Sequence, residues 1–156
     1  MQTTTTEKQF RRKKPIQMNP QPTATKFDDE SYQIIGVAME VHNELGPGLR
    51  EKPYEAAMVI ALKQKGFRVE PQRPYPIRFR QYIVGDCIPD LTVSASVLVE
   101  IKAVDRIGES EVAQMLNYLR VAKLGLGLVV NFKNPKLEWK RVVLDRFGGW
   151  KANGEG

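Results

Sequence analysis

The sequence predicts an α/β protein built around a layered β-sheet. Two segments with helical apolar spacing come first, and several strand-like runs broken by Gly and Pro follow them. A further amphipathic helix then separates that block from two closing strands, an order that suggests helices packed on a sheet. With 156 residues, 42% of them hydrophobic, the chain can bury a real core as one domain, and no internal repeat divides it.

Each element has its own reason. In "SYQIIGVAMEVHNEL", Ile34, Ala38, Val41 and Leu45 recur at helical spacing behind a cap at Ser31, and "GPG" at 46–48 stops the helix. A second helix is expected from about Arg50 to Lys65, with Pro53 tolerable in its first turn and Gly66 as its stop. Its centre, "YEAAMVIAL", is apolar almost all round, so burial on most sides is expected. "FRVEPQRPYPIRFRQYIVG", "CIPDLTV" and "VLVEIKAV" read as strands. "ESEVAQMLNYLRVAK" is a helix whose apolar stripe is Val112, Met115, Leu116 and Leu119, and "LGLGLVVNF" and "LEWKRVVL" are the closing strands.

Charge and composition set the ends apart from the middle. The net charge is +6, yet residues 1–26 alone carry Lys8, Arg11, Arg12, Lys13, Lys14 and Lys26 against Glu7, which is +5. That stretch is rich in Thr, Gln and Pro, so a flexible basic tail is expected, serving either as a phosphate-binding arm or as a solubilising extension. Residues 27–147 form the expected folded domain, and 148–156 a second flexible tail. The single cysteine, Cys87, excludes an internal disulfide and a cysteine-based zinc site. Without an apolar stretch long enough to span a bilayer, or a signal peptide, the expectation is a cytoplasmic protein with no membrane partner.

The chemistry starts from "VLVEIKAV", residues 97–104. Glu100 and Lys102 interrupt an apolar run and, at period two, share one face of the strand about 6.6 Å apart. A buried ion is costly unless paired or metal-bound, so the two either face solvent as a surface ion pair or form a site. Asp90 bears on that choice. "SAS" at 94–96 is the turn between two strands, and Asp90 and Glu100 lie five residues either side of Ala95. A hairpin centred there sets the two carboxylates face to face with Cβ atoms about 5 Å apart. A slip of one residue would separate them onto opposite faces. Carboxylates held so close repel unless a proton or cation lies between them, and Mg²⁺ or Mn²⁺ is the economical ion for phosphate chemistry.

Glu51 is on a stripe with Tyr54, Met58 and Leu62 that should face inward, although a carboxylate in a first helical turn is also favoured by the helix dipole alone. Gln114 and Tyr118 are one turn apart on the shoulder of the third helix, where packing is the plain explanation. His42, the only histidine, sits by Ala38 and Leu45 and reads as a hydrogen-bonded packing residue. Trp139 and Trp150 read as core anchors more than as base-stacking surfaces.

These residues carry a resemblance. Pro89-Asp90 followed by Glu100-Ile101-Lys102 is similar to the PD-(D/E)xK signature of metal-dependent nucleases, and Gly48, Glu51 and Tyr54 in "GLREKPY" match the motif that names the GxxExxY family. "VHNELGPG", "EIKAV", "QMLNYL" and "GLVVNF" resemble that family in the same order, so the likeness covers about residues 31–144. It implies a restriction-endonuclease-like three-layer core, a central mixed β-sheet flanked by helices. It also implies a metal-dependent nuclease acting on nucleic acid, with DNA favoured, Mg²⁺ as cofactor and Mn²⁺ as a substitute. By the same resemblance Asp90, Glu100 and the backbone carbonyl of Ile101 bind the metal, Glu51 completes the site, and Lys102 holds or activates the attacking water. Gln114 and Tyr118 resemble the QxxxY motif of the RecB-like exonuclease branch, which supports the site or contacts DNA. A non-catalytic nucleic-acid-binding or interaction module retaining the fold is the alternative, and monomer and homodimer both stay open.

Overall fold

The computed structural model describes residues 26–145 and 149–153, so the basic stretch before residue 26 and the last three residues lie outside the described residues. Helix α1 (Lys26–Leu45) and helix α2 (Glu51–Gln64) precede strands β1 (Val69–Pro71), β2 (Tyr75–Phe79), β3 (Tyr82–Cys87), β4 (Leu91–Val93) and β5 (Val97–Lys102). Helix α3 (Glu109–Ala122) follows, then β6 (Leu126–Asn131), β7 (Glu138–Leu144) and β8 (Trp150–Asn153). Six strands form one sheet in the order β1-β4-β5-β6-β7-β8, and β2 and β3 form a separate hairpin. Among the described strands only the β5–β6 pair is parallel, joined by the α3 crossover, so the sheet is mixed, as the family resemblance implies.

Alternation along β5 divides the interior in two. Val97, Val99 and Ile101 join α1 and α2 in one apolar cluster, with Ile34, Val41, Met58 and Leu62. Leu98 faces the other way, into a cluster with Val112, Met115 and Leu119 of α3. Helix α3 lies close on the sheet because β6 offers Gly127 beneath it: a Cβ there would stand 2.3 Å from Met115 Sδ. That approach fixes the height of α3 above β5, and with it the residues α3 presents to Glu100 and Lys102.

The motif between α1 and α2 is mostly architectural. Gly48 turns the chain at φ +89°, a backbone region costly for side-chain-bearing residues. Tyr54, fully buried, stacks on Phe132 at 4.4 Å, donates its hydroxyl to the Gly46 carbonyl at 2.6 Å and accepts from the Leu49 N–H at 3.1 Å. One tyrosine thus fills the core and closes the loop.

Three expectations need correction. Helix α1 starts at Lys26, five residues before Ser31, whose hydroxyl is buried inside the helix and accepts from Arg141 Nε at 3.2 Å. Asp29 and Glu30 near its start suit the positive end of a helix dipole. Helix α2 is not buried all round, since Ile60 is 59% exposed and only the Tyr54, Met58 and Leu62 side is covered. Part of the supposed C-terminal tail is strand: Trp150–Asn153 pairs antiparallel with β7, although Trp150 itself stays exposed. Trp139 packs, partly buried, against the larger core. His42 is buried, bonded through Nε2 to the Asn134 carbonyl at 2.8 Å and tilted against Phe132.

Candidate active site

The β4–β5 hairpin brings the two carboxylates together as its register dictates. Val93 pairs with Val97 and Leu91 with Val99, so Asp90 comes opposite Glu100 where the ladder ends. Ser94 and Ala95 take positive φ values of 53° and 55°, which turns the strand tightly enough to keep that odd-length loop. Asp90 and Glu100 then lock each other through the backbone: the Asp90 N–H donates to Glu100 Oε1 at 2.8 Å, and the Ile101 N–H donates to Asp90 Oδ2 at 2.8 Å. The N–H and C=O of one strand residue point to the same side, so the Ile101 carbonyl also faces the Asp90 end of the hairpin. Lys102 has its carbonyl on the β6 side, where it accepts from the Phe132 N–H at 2.9 Å.

Lys102 Nζ donates to Gln114 Oε1 at 2.9 Å and stands 3.9 Å from Glu100 Oε2. Gln114 Nε2 in turn donates to the Tyr118 hydroxyl at 3.1 Å. The two α3 residues therefore hold the lysine from above while β5 holds it from below, a role that packing alone does not require. Burial and the neighbouring Asp90 charge push the Glu100 carboxyl, 5% exposed, up to about 7. Burial raises Asp90 as well, against the pull of the Ile101 N–H, and the Glu55 charge adds to the rise. Tyr118 is raised by burial and then by Glu100.

Glu51 does not join this cluster. It is exposed at the first turn of α2, where the helix dipole accounts for it, and Glu55, one turn later and buried, is the carboxylate that α2 turns toward Asp90. Gln72 makes the link, donating from Nε2 to Glu55 Oε1 at 2.7 Å and, at 3.5 Å, to Asp90 Oδ1. Its backbone, at φ +53°, donates N–H to the Asp90 carbonyl at 2.9 Å. Sequence reasoning missed both residues. Glu55 had a signal, being the one charge within the apolar "YEAAMVIAL"; Gln72 had none.

Two carboxylates meet at the end of β4 and β5, with the Ile101 carbonyl on the same side by strand geometry, all hard oxygen donors, and burial raises both carboxyls even against the pull of Lys102. That donor set fits a hard divalent ion such as Mg²⁺. Among the described residues no group of three His, Cys, Asp or Glu side chains is gathered to hold a metal, in keeping with Glu55 reaching Asp90 by way of Gln72. The family model of the PD-(D/E)XK nuclease superfamily matches residues 28–142. The chain belongs to that superfamily. Its signature residues are the ones that the hairpin register sets side by side, and members generally use divalent metal ions. A comparison with curated proteins gives no match. No helix among the described residues is long and apolar enough to cross a membrane.

Proposed function

We propose that this protein is a Mg²⁺-dependent nuclease, with Mn²⁺ as a working substitute, that hydrolyses phosphodiester bonds in DNA, and that it belongs to the GxxExxY branch of its superfamily. The observation that carries the reading is the locked Asp90–Glu100 pair with Lys102 beside it, under a Gln114–Tyr118 clasp. Asp90, Glu100 and the Ile101 carbonyl would hold the ion, with Glu55 in place of Glu51 as the helical carboxylate behind them. When bound, the ion supplies Lewis-acid polarisation of the phosphate and a lowered pKa for the attacking water. Lys102 orients that water and supports the charge that develops on the phosphate oxygens. Gln114 keeps the ammonium aimed by accepting one of its hydrogens, and Tyr118 fixes the orientation of the Gln114 amide.

A binding module that retains the fold is the second reading, favoured by Glu55 meeting Asp90 through Gln72 instead of directly. Labelled single- and double-stranded DNA and RNA incubated with Mg²⁺, Mn²⁺ or chelator separate the two. Metal-dependent products are expected from DNA, and Lys102→Met should still bind Mn²⁺ in calorimetry while losing most cleavage. Binding indifferent to metal, with no products from any substrate, would leave only the module.

A further inference from the structure

An open groove of about 510 Å³ runs between β2 and the C-terminal end of α3, and its cations are Arg73, Arg78, Arg120 and Lys123. No carboxylate lines it among the described residues. Arg73 is already engaged, ion-paired to Glu70 at 3.3 Å and laid over the Tyr75 ring at 4.9 Å. Arg78, Arg120 and Lys123 are exposed, and among the described residues Arg120 is held by a neutral partner, donating to Asn117 Oδ1 at 3.0 Å. Between the cations the floor is apolar, formed by Tyr75, Ile77, Val121 and Ala122.

The groove is an extension of the catalytic face. Tyr75 in its floor is hydrogen-bonded to Thr92 at 3.0 Å, and Thr92 is two residues from Asp90 on the same side of β4. On α3, Tyr118 is four residues after Gln114, and Val121 and Ala122 are three and four residues after Tyr118, so one helix face runs from the Lys102 clasp into the groove. From Gln114 to Val121 that face rises about 10 Å. Successive phosphates of one strand advance about 3.4 Å along a duplex, so a strand running along α3 would meet the groove about three phosphates from the clasp. A line of cations with an apolar floor and no acid matches a phosphodiester backbone better than a protein surface of mixed charge.

We infer that the groove between β2 and α3 binds the phosphate backbone of the substrate strand about three phosphates from the scissile bond, through Arg78, Arg120 and Lys123. The inference rests on the nuclease reading for its substrate class, and its test separates the two. Binding of a fluorescein-labelled DNA duplex to the full chain is titrated in chelator at several salt concentrations. The Arg78→Gln/Arg120→Gln/Lys123→Gln variant is compared with Lys52→Gln/Lys63→Gln/Lys136→Gln, which removes exposed cations outside the groove.

The groove variant should lower the slope of log affinity against log salt by about 0.9 for each phosphate it no longer neutralises, about 2 to 3 in all. The control set should leave the slope alone, and Arg78→Lys/Arg120→Lys should hold it near wild type. In Mg²⁺ the groove variant should raise KM with kcat held, the mark of weakened uniform binding. Equal loss of slope in both sets, or no binding by the wild type, would overturn the inference. So would a groove variant that shifts a dimer equilibrium in sedimentation while its DNA slope stays put, since the groove would then be a self-interface. Slope loss specific to the groove, in a wild type that cleaves nothing, would sink the nuclease reading and keep the groove. Cleavage with slope and KM unchanged would do the reverse.

Discussion

Two polar clusters are buried at neighbouring strand ends, and they are built on opposite terms. Asn131 at the end of β6 is fully buried, and its amide is saturated: Nδ2 donates to the Val104 carbonyl and to Glu138 Oε2, both at 2.8 Å, and Oδ1 accepts from Val104 N–H at 3.0 Å and Lys133 N–H at 3.3 Å. Glu138 also accepts from the Ile107 N–H at 3.0 Å. Glu100 at the end of β5 is nearly as buried, yet a like charge faces it and its lysine stands 3.9 Å away. The first cluster uses its hydrogen bonds to hold the loop at 103–108 between β5 and α3. The second keeps two carboxyls in an environment that penalises their charge, which is what gives a cation something to stabilise.

The difference can be broken from either side, and the signs should be opposite. Glu100→Gln is expected to cut cleavage by about 10³-fold, the loss of several kcal/mol of metal-borne stabilisation, and to abolish Mn²⁺ binding in calorimetry. At pH 8 the same change should raise the thermal stability of the metal-free protein, because it removes a penalised charge. Asn131→Leu should lower stability by about 2 to 4 kcal/mol in urea melts, because it takes the Asn131 amide away from the Val104 N–H and carbonyl and removes one of the two donors to Glu138 Oε2. Equal destabilisation by both changes would mean that Glu100 serves architecture alone.

Proton linkage sharpens the same contrast. The Glu100 carboxyl rises from 4.5 to about 7 on folding, so the folded state binds the proton more tightly than the unfolded chain does. The resulting stability is fully present below pH 4.5 and is lost as pH rises through 7, on the order of 3 kcal/mol for the metal-free protein. Asp90, also raised, adds in the same direction. Urea melts across this range should show the decline in wild type with chelator. Saturating Mg²⁺ should offset it, and Glu100→Gln should remove most of it. A flat profile with chelator would show that neither carboxyl is penalised.

Much of the site was legible because it depends on counting. Antiparallel pairing is symmetric about its turn, so Ala95 fixes Asp90 opposite Glu100, and period two then carries Lys102 to the same face. Helical period placed Gln114 and Tyr118 together on the shoulder of α3. What could not be counted was the position of α2 along β1. Glu51 and Glu55 are one turn apart on the same stripe, and which of them meets the sheet end depends on how far the helix slides, a tertiary quantity set by Tyr54 packing on Phe132. Gln72 enters through a turn at positive φ that no sequence signal marks, and β8 gains its order from pairing with β7.

The choice between the two glutamates of α2 is therefore the finest test, and the smallest in expected size. Glu55 touches Gln72, and Gln72 touches Asp90 by side chain and backbone, so Glu55→Gln should disturb the aim of the carboxylate proposed as a metal ligand. Substitutions among such supporting partners cost about 10- to 100-fold in metal affinity or activity, and Glu55→Gln is expected within that range. Glu51→Gln should leave Mn²⁺ affinity unchanged and lower stability by only about 0.3 to 1 kcal/mol, the worth of a carboxylate at the start of an exposed helix. Parallel calorimetry and cleavage assays on the two variants decide it. If Glu51→Gln weakens Mn²⁺ binding and Glu55→Gln does not, then α2 must turn or slide when the metal binds, and the motif glutamate, not its neighbour one turn on, belongs to the site.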